Sequence, residues 1–231
     1  MSKTPARSVR KTTTVLGDRR APSKGERQRQ AILTTLAELL ETRSIGEITV
    51  NDIALAAGVQ RSGFYFYFDS KFAPLAVLAS EIWSELMERA ESFVRNDGES
   101  VGDYFDRVYT VTAEEWRTHS AVLIASIHAI PQDEQLAAMW RTRNEHVADI
   151  LTTQILRDRD QGLASPALPD VPGLVSTLLE MTMHIFYRDQ LEKCTPEQAE
   201  RSFTALRAIW LAATWGQSGT ADSGVRQGVE L

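Results

Sequence analysis

Residues Thr49–Lys71, TVNDIALAAGVQRSGFYFYFDSK, decide how this chain is read. Thr49 stands where its side-chain oxygen can accept from the free N–H groups of a helix starting at Val50. Asp52, three residues on, makes a shorter relative of the Ser/Thr-x-x-Glu capping pair. Val50, Ile53 and Ala57 recur at helical spacing on one face, and Ala54 is small enough to admit a crossing helix. Gly58 ends the segment, because glycine takes a positive φ without a Cβ clash and lets the chain reverse before Val59 packs into the corner. A second short helix then begins at Arg61. The pattern is a helix-turn-helix, the unit whose second helix lies in the DNA major groove.

The run Phe64-Tyr65-Phe66-Tyr67-Phe68 is rich in β-favouring residues and, alone, could be a buried strand. The cap and turn before it decide for helix. Phe64 and Phe68, four apart, then share an inward face, while Arg61 and Tyr65 share another that can point outward. Tyrosine hydroxyls on such a surface can donate to phosphate oxygens. The competing reading is an aromatic core helix with no partner.

Across residues 26 to 75 the sequence resembles the tetracycline-repressor (TetR) family of bacterial regulators. The resemblance rests on DIALAAGV followed by Tyr65, Phe68, Ser70 and Lys71, after a first helix that closes on Leu39, Leu40 and the Ile45 to Val50 loop. It implies a phosphate-backbone contact near Thr49, base-edge contacts from Gln60, Arg61 and Ser62, and phosphate contacts from Tyr65, Tyr67 and Lys71. Arg61 suits the O6 and N7 edge of guanine. Two positions depart from the family: Gln60 stands where a serine or threonine is common, and Gly63 where a hydroxyl residue reaches the backbone. Gly63 loses that side chain but allows closer backbone approach, at about 1 kcal/mol of helix propensity against alanine.

The net charge of −6, from 25 basic and 31 acidic residues, hides an asymmetry. Residues 1 to 30 hold nine basic residues (Lys3, Arg7, Arg10, Lys11, Arg19, Arg20, Lys24, Arg27 and Arg29) against Asp18 and Glu26, a local charge of +7. The remainder carries −13. A basic stretch just before the first helix can track phosphates or enter the minor groove; otherwise it is a solubilising terminus. Its composition predicts disorder when free. No apolar segment suits secretion or a membrane span, so the chain reads as cytoplasmic. The single Cys194 excludes an intramolecular disulfide and any multi-cysteine metal site.

Periodicity and capping signals predict an all-α protein of about nine helices. The first spans about 24 to 42, and a fourth runs from about Ser70 into the 90s. Later helices fall near 100 to 117, 120 to 129, 132 to 160, 173 to 191 and 196 to 215, the last marked by Thr195, Pro196 and Gln198. The expected organisation is a basic tail (1–23), a helix-turn-helix domain (24–71), a helical ligand-binding and dimerisation domain (72–216) and a flexible end (217–231). The resemblance implies that the last two helices form a four-helix dimer interface, for which Val175, Leu178, Leu179, Ile185, Leu206, Ile209 and Ala213 offer apolar faces. A two-fold dimer implies an inverted-repeat operator.

The larger domain is rich in bulky aromatic and sulfur-bearing residues: Phe105, Tyr109, Trp116, Trp140, Met181, Phe186, Tyr187 and Trp210. They are either ordinary core or the lining of the elongated apolar ligand cavity usual in this family. Similarity to the ethionamide-linked repressors of the family implies that Phe105, Trp116, Trp140 and Trp210 line such a cavity, with Thr182 near a polar anchor that is asparagine there. The functional expectation is a homodimeric repressor released from its operator by a mostly hydrophobic small molecule. A ligand-independent or nucleoid-associated DNA-binding factor is the alternative. An enzyme has little support: His119, His128, His146 and His184 form no metal-ligand spacing, and no nucleophile or phosphate-loop motif, cofactor site or metal site is apparent.

Overall fold

The computed structural model describes residues 23–88 and 93–216, and there the chain is helical throughout, without strands. The elements are α1 (Lys24–Leu40), α2 (Val50–Ala56), α3 (Arg61–Tyr67), α4 (Phe72–Glu88), α5 (Val101–Thr118), α6 (Ser120–Ala129), α7 (Glu134–Asp160), α8 (Val171–Leu191) and α9 (Pro196–Trp210). A π-helical turn, Leu211–Trp215, continues α9 and stops at Gly216, whose φ is +68°. Residues 1–22, 89–92 and 217–231, on which the expected basic tail, the expected extension of the fourth helix into the 90s and the expected flexible end fall, lie outside the described residues.

Most helix starts follow from one side chain. Ser23, Thr49, Ser100, Asp133, Asp170 and Thr195 each accept from the backbone N–H three residues on, satisfying a donor that the helix itself cannot. At Thr49 the box is complete despite the short aspartate: Asp52 N–H donates to Thr49 Oγ1 at 3.2 Å, and Thr49 N–H to Asp52 Oδ2 at 2.8 Å. Arg43, 3.2 Å from the same carboxylate, adds a partner, and these bonds to Thr49 hold the Asp52 carboxyl below its ordinary range.

α4 joins the two parts of the molecule. Its buried Leu75, Ala79, Ile82, Trp83 and Leu86 pack successively toward α1, then α6 and α7, so the helix-turn-helix and the bundle share one continuous core. The α4–α5 connection is tied down by charge. Arg95 Nη2 donates to Asp158 Oδ1 at 2.7 Å, and the indole N–H of Trp215 donates to Asp158 Oδ2 at 2.8 Å. Beside them Arg107 pairs with Glu99 at 2.8 Å and holds its carboxyl below the ordinary value.

One expectation needs correction. Val175, Leu178 and Leu206 are buried inside the protomer and cannot also face a twin; of the residues assigned to that surface, Ile209 is the one that stands exposed. α8 is apolar on more than one face, and its inward face is taken by α5, α6 and α7.

Candidate DNA-reading face and ligand crevice

α2 and α3 are held by Ile53, Ala54, Phe64 and Phe68, all buried, with Gly58 (φ +66°) making the corner. This fixes what α3 presents outward. Gln60, Arg61, Ser62, Tyr65 and Phe66 are exposed in one patch, and the Arg61 guanidinium lies 5.8 Å from the Tyr65 ring centroid, a loose cation–π arrangement that orients it. Thr49 is exposed at the start of α2, and Gly63 sits half-buried one turn into α3. A Cβ at Gly63 would meet only Val59, at 3.9 Å, so packing does not demand glycine there.

Phe66, 82 % exposed, was not anticipated. The aromatic run reads as an inward wedge, yet Phe66 is four residues after Ser62 and shares its outward face. Its ring lacks a hydroxyl, so what it can offer DNA is apolar contact with deoxyribose or a thymine methyl group.

Two of the expected phosphate contacts are committed to the fold. Lys71 Nζ donates to the carbonyls of Ile45 at 2.6 Å and Ile48 at 2.8 Å, gathering the loop between α1 and α2. The Tyr67 hydroxyl donates to Gln28 Oε1 at 3.1 Å, pinning α3 to the start of α1. Both were read as free to meet phosphate, because a cation and a phenol at a helix edge look solvent-facing in sequence; tertiary structure uses them internally. Lys71→Met should therefore cost about 2 kcal/mol of stability through the unpaired carbonyls, seen as a lower denaturation midpoint without DNA. A loss confined to DNA affinity would restore the phosphate role.

In the bundle a narrow apolar crevice, partly open to solvent, runs between α4, α5, α7, α8 and the end of α9. Phe105, Tyr109, Thr182, Phe186 and Trp210 line it as expected. Trp116 and Trp140 instead back the wall: Trp116 stacks on Phe186 with centroids 6.1 Å apart, and Trp140 meets Trp83 edge to face at 5.4 Å. Met181 lies off the lining. The face of α8 that reaches the crevice is Leu179, Thr182, Met183 and Phe186, the i, i+3, i+4, i+7 set that excludes position 181.

The lining has few polar atoms, and most are spent. Thr182 Oγ1 donates to Leu178 O at 2.8 Å and accepts from Trp210 Nε1 at 2.9 Å, and Thr112 Oγ1 donates to Val108 O at 2.8 Å. Burial pushes the Tyr109 phenol up to about 12, so it stays neutral at physiological pH. Asn144, which sequence reasoning passed over as one polar residue in a polar stretch of α7, also lines the crevice.

The DNA-reading face and most of the crevice lining fall within matches to known families. The model of the bacterial regulatory proteins of the tetR family matches residues 32–73, and that of the C-terminal domain of the transcriptional regulator EthR matches residues 105–216. The HTH-type transcriptional regulator EthR of Mycolicibacterium smegmatis is 30% identical over 211 residues, which cover 89% of this chain and 94% of that protein. The chain belongs to the TetR family of transcriptional regulators. EthR of Mycobacterium tuberculosis is 28% identical over 205 residues, 87% of this chain and 94% of its own length. Among solved structures, a TetR-family regulator from Streptomyces coelicolor aligns at a TM-score of 0.56 and 22% identity over 81% of this chain and 83% of that one. Thermus thermophilus FadR, a TetR-family repressor crystallised with lauroyl-CoA, aligns at 0.53 and 19% over 85% of this chain and all (100%) of its own. These structural likenesses carry the fold; the TetR assignment carries the role of a DNA-binding transcriptional regulator rather than an enzyme. No helix among the described residues is long and apolar enough to cross a membrane.

Proposed function

We propose that this TetR-family protein is a cytoplasmic homodimeric repressor, released from an inverted-repeat operator when a mostly apolar small molecule enters the α4–α9 crevice. The observation that carries the reading is the double membership of α4: Leu75 and Ala79 are buried in the core it shares with α1 and α6, while Trp83 and Leu86 of the same helix line the crevice. A ligand that favours a displaced α4 necessarily disfavours the reading-helix position that the first turns of α4 hold, and the two binding events oppose each other. The division of labour then falls near residues 71 and 72, with 24–71 reading DNA and 72–216 sensing and dimerising.

On the DNA side, Gln60, Arg61 and Ser62 meet base edges, Thr49 and Gly63 approach the backbone, and Tyr65 and Phe66 cover sugar and phosphate. Dimerisation through the last two helices uses Ala205, Ile209 and Ala212, exposed at spacings of four and three on one side of α9 and its π turn. Two reading helices then sit about 34–36 Å apart, one turn of duplex.

Footprinting on DNA upstream of the protein's own gene tests this. Protection should cover two symmetric half-sites one turn apart and recede when apolar aromatic compounds are added. A single unpaired half-site, or protection indifferent to every such compound, would overturn the dimeric and ligand-released parts respectively.

A further inference from the structure

Phe66 is the most exposed large apolar side chain among the described residues, and it stands on the outward face of α3. Gln60, Arg61, Ser62 and Tyr65, exposed in the same patch, each carry a hydrogen-bonding group; Phe66 carries none. Its position is nonetheless fixed. Phe64 and Phe68, two residues to either side, are buried and wedge α3 onto the core. The Phe66 ring meets the Tyr67 ring edge to face, with centroids 5.0 Å apart and an interplanar angle of 85°. Tyr67 is itself tied to α1, its hydroxyl donating to Gln28 at 3.1 Å. A DNA groove that receives α3 therefore receives a held apolar ring one turn after Ser62.

Such a ring can read one kind of feature on a base edge. It cannot donate to phosphate or exchange hydrogen bonds with a base, and the deoxyribose it can cover is the same in every nucleotide and carries no sequence information. The major groove holds one apolar mark that differs between base pairs, the methyl group on C5 of thymine. In B-form DNA that methyl lies beside the deoxyribose of the nucleotide on its 5′ side, so a ring laid on the sugar from within the groove meets the methyl as well. Building on the reading of α3 as the base-reading helix, we propose that Phe66 is a specificity-determining residue whose ring selects, in each half-site, a pyrimidine bearing a 5-methyl group. Thymine supplies that group in unmodified DNA. 5-Methylcytosine presents it at the same place, so methylation of a cytosine standing at this position strengthens binding. Arg61 and Phe66 then divide the half-site by chemistry: the guanidinium takes the polar edge of guanine, and the ring takes the apolar mark that no hydrogen-bonding side chain distinguishes.

The test uses the full chain and the operator duplex that footprinting yields, remade with uracil in place of each thymine in turn, a change that removes the methyl group alone. At one thymine per half-site, uracil should weaken wild-type binding about four-fold, and about fifteen-fold when both half-sites carry it. In Phe66→Ala the same uracil should make no difference. Phe66→Leu, which keeps an apolar side chain, should keep part of the preference, and matching thermal midpoints for the three proteins show that the exposed position can be changed without unfolding. With a G·C pair at that position, 5-methylcytosine should bind about four-fold more tightly than cytosine, in the wild type and not in Phe66→Ala; the two cytosines share their polar edge, so the comparison isolates the methyl. If every uracil duplex affects wild type and Phe66→Ala alike, the ring covers sugar alone and the proposal is overturned, while base reading by Arg61 stands. A Phe66-dependent uracil effect without a gain from 5-methylcytosine overturns the response to methylation and leaves thymine selection. If no duplex is preferred over random DNA, this proposal and the operator reading fall together.

Discussion

Asp158→Ala should lower the stability of the protein by about 3 kcal/mol or more, which for a chain of this size moves the thermal midpoint by roughly 6–12 °C. Asp158 is 1 % exposed and receives three donors: Arg95 at 2.7 Å, Gln154 at 3.0 Å and Trp215 at 2.8 Å. Removing it strands a guanidinium that is itself only 14% exposed, together with a buried indole N–H. The cost is that of leaving a charge unpaired rather than the net worth of the pair. Asp158→Leu combined with Arg95→Met should accordingly be much less damaging than Asp158→Ala alone. The mutation should also reach the crevice, because the π turn that ends α9 turns Trp215 toward Asp158 and makes its ring part of the lining. Thermal unfolding of the three proteins measures the first effect. A loss below about 1 kcal/mol for Asp158→Ala would mean that solvent reaches Arg95.

The parts of this fold legible in the sequence are those governed by residues near one another along the chain. Thr49, Asp52 and Gly58 announce a cap and a corner, Thr195-Pro196 with Gln198 announces the last helix, and each stands where those local rules put it. What escaped depends on contacts between distant segments. Lys71 reaches carbonyls more than twenty residues earlier, Asp158 meets Arg95 across 63 positions, and neither pairing leaves a spacing to read. α8 failed for a different reason. It is apolar on several faces, so periodicity gives its helical nature without saying which stripe meets α5 and α7, which lines the crevice and which remains outside. Met181 and the proposed dimer residues Val175 and Leu178 were misplaced together for that cause. Aromatic identity likewise marks a wall without separating its lining from its backing, as Trp116 and Trp140 show.

Arg61→Ala should leave stability within about 0.5 kcal/mol of wild type but weaken operator binding by about 2 kcal/mol per half-site, some thirty-fold for one site and near a thousand-fold for a dimer on both. The first part follows from the position: Arg61 is exposed at the start of α3, and its recorded contact in the protein is the Tyr65 ring at 5.8 Å. The second follows from its chemistry. A guanidinium held over an aromatic face has already given up some rotamer freedom, so less is lost when it forks onto guanine O6 and N7. Because the contact reads a base, the loss should be concentrated at one base pair in each half-site, which then tolerates substitution. Non-specific DNA should lose far less, in line with one phosphate-range charge removed from the salt dependence. Phe66→Ala is the useful contrast: an apolar ring pressed on sugar or a thymine methyl adds affinity without counterion release, so its loss should weaken binding while leaving the salt slope unchanged. Binding titrations on an operator and its single-base variants at two salt concentrations separate the two. A uniform loss across all variants for Arg61→Ala would place the guanidinium on phosphate and move the base-reading role to Gln60 or Ser62.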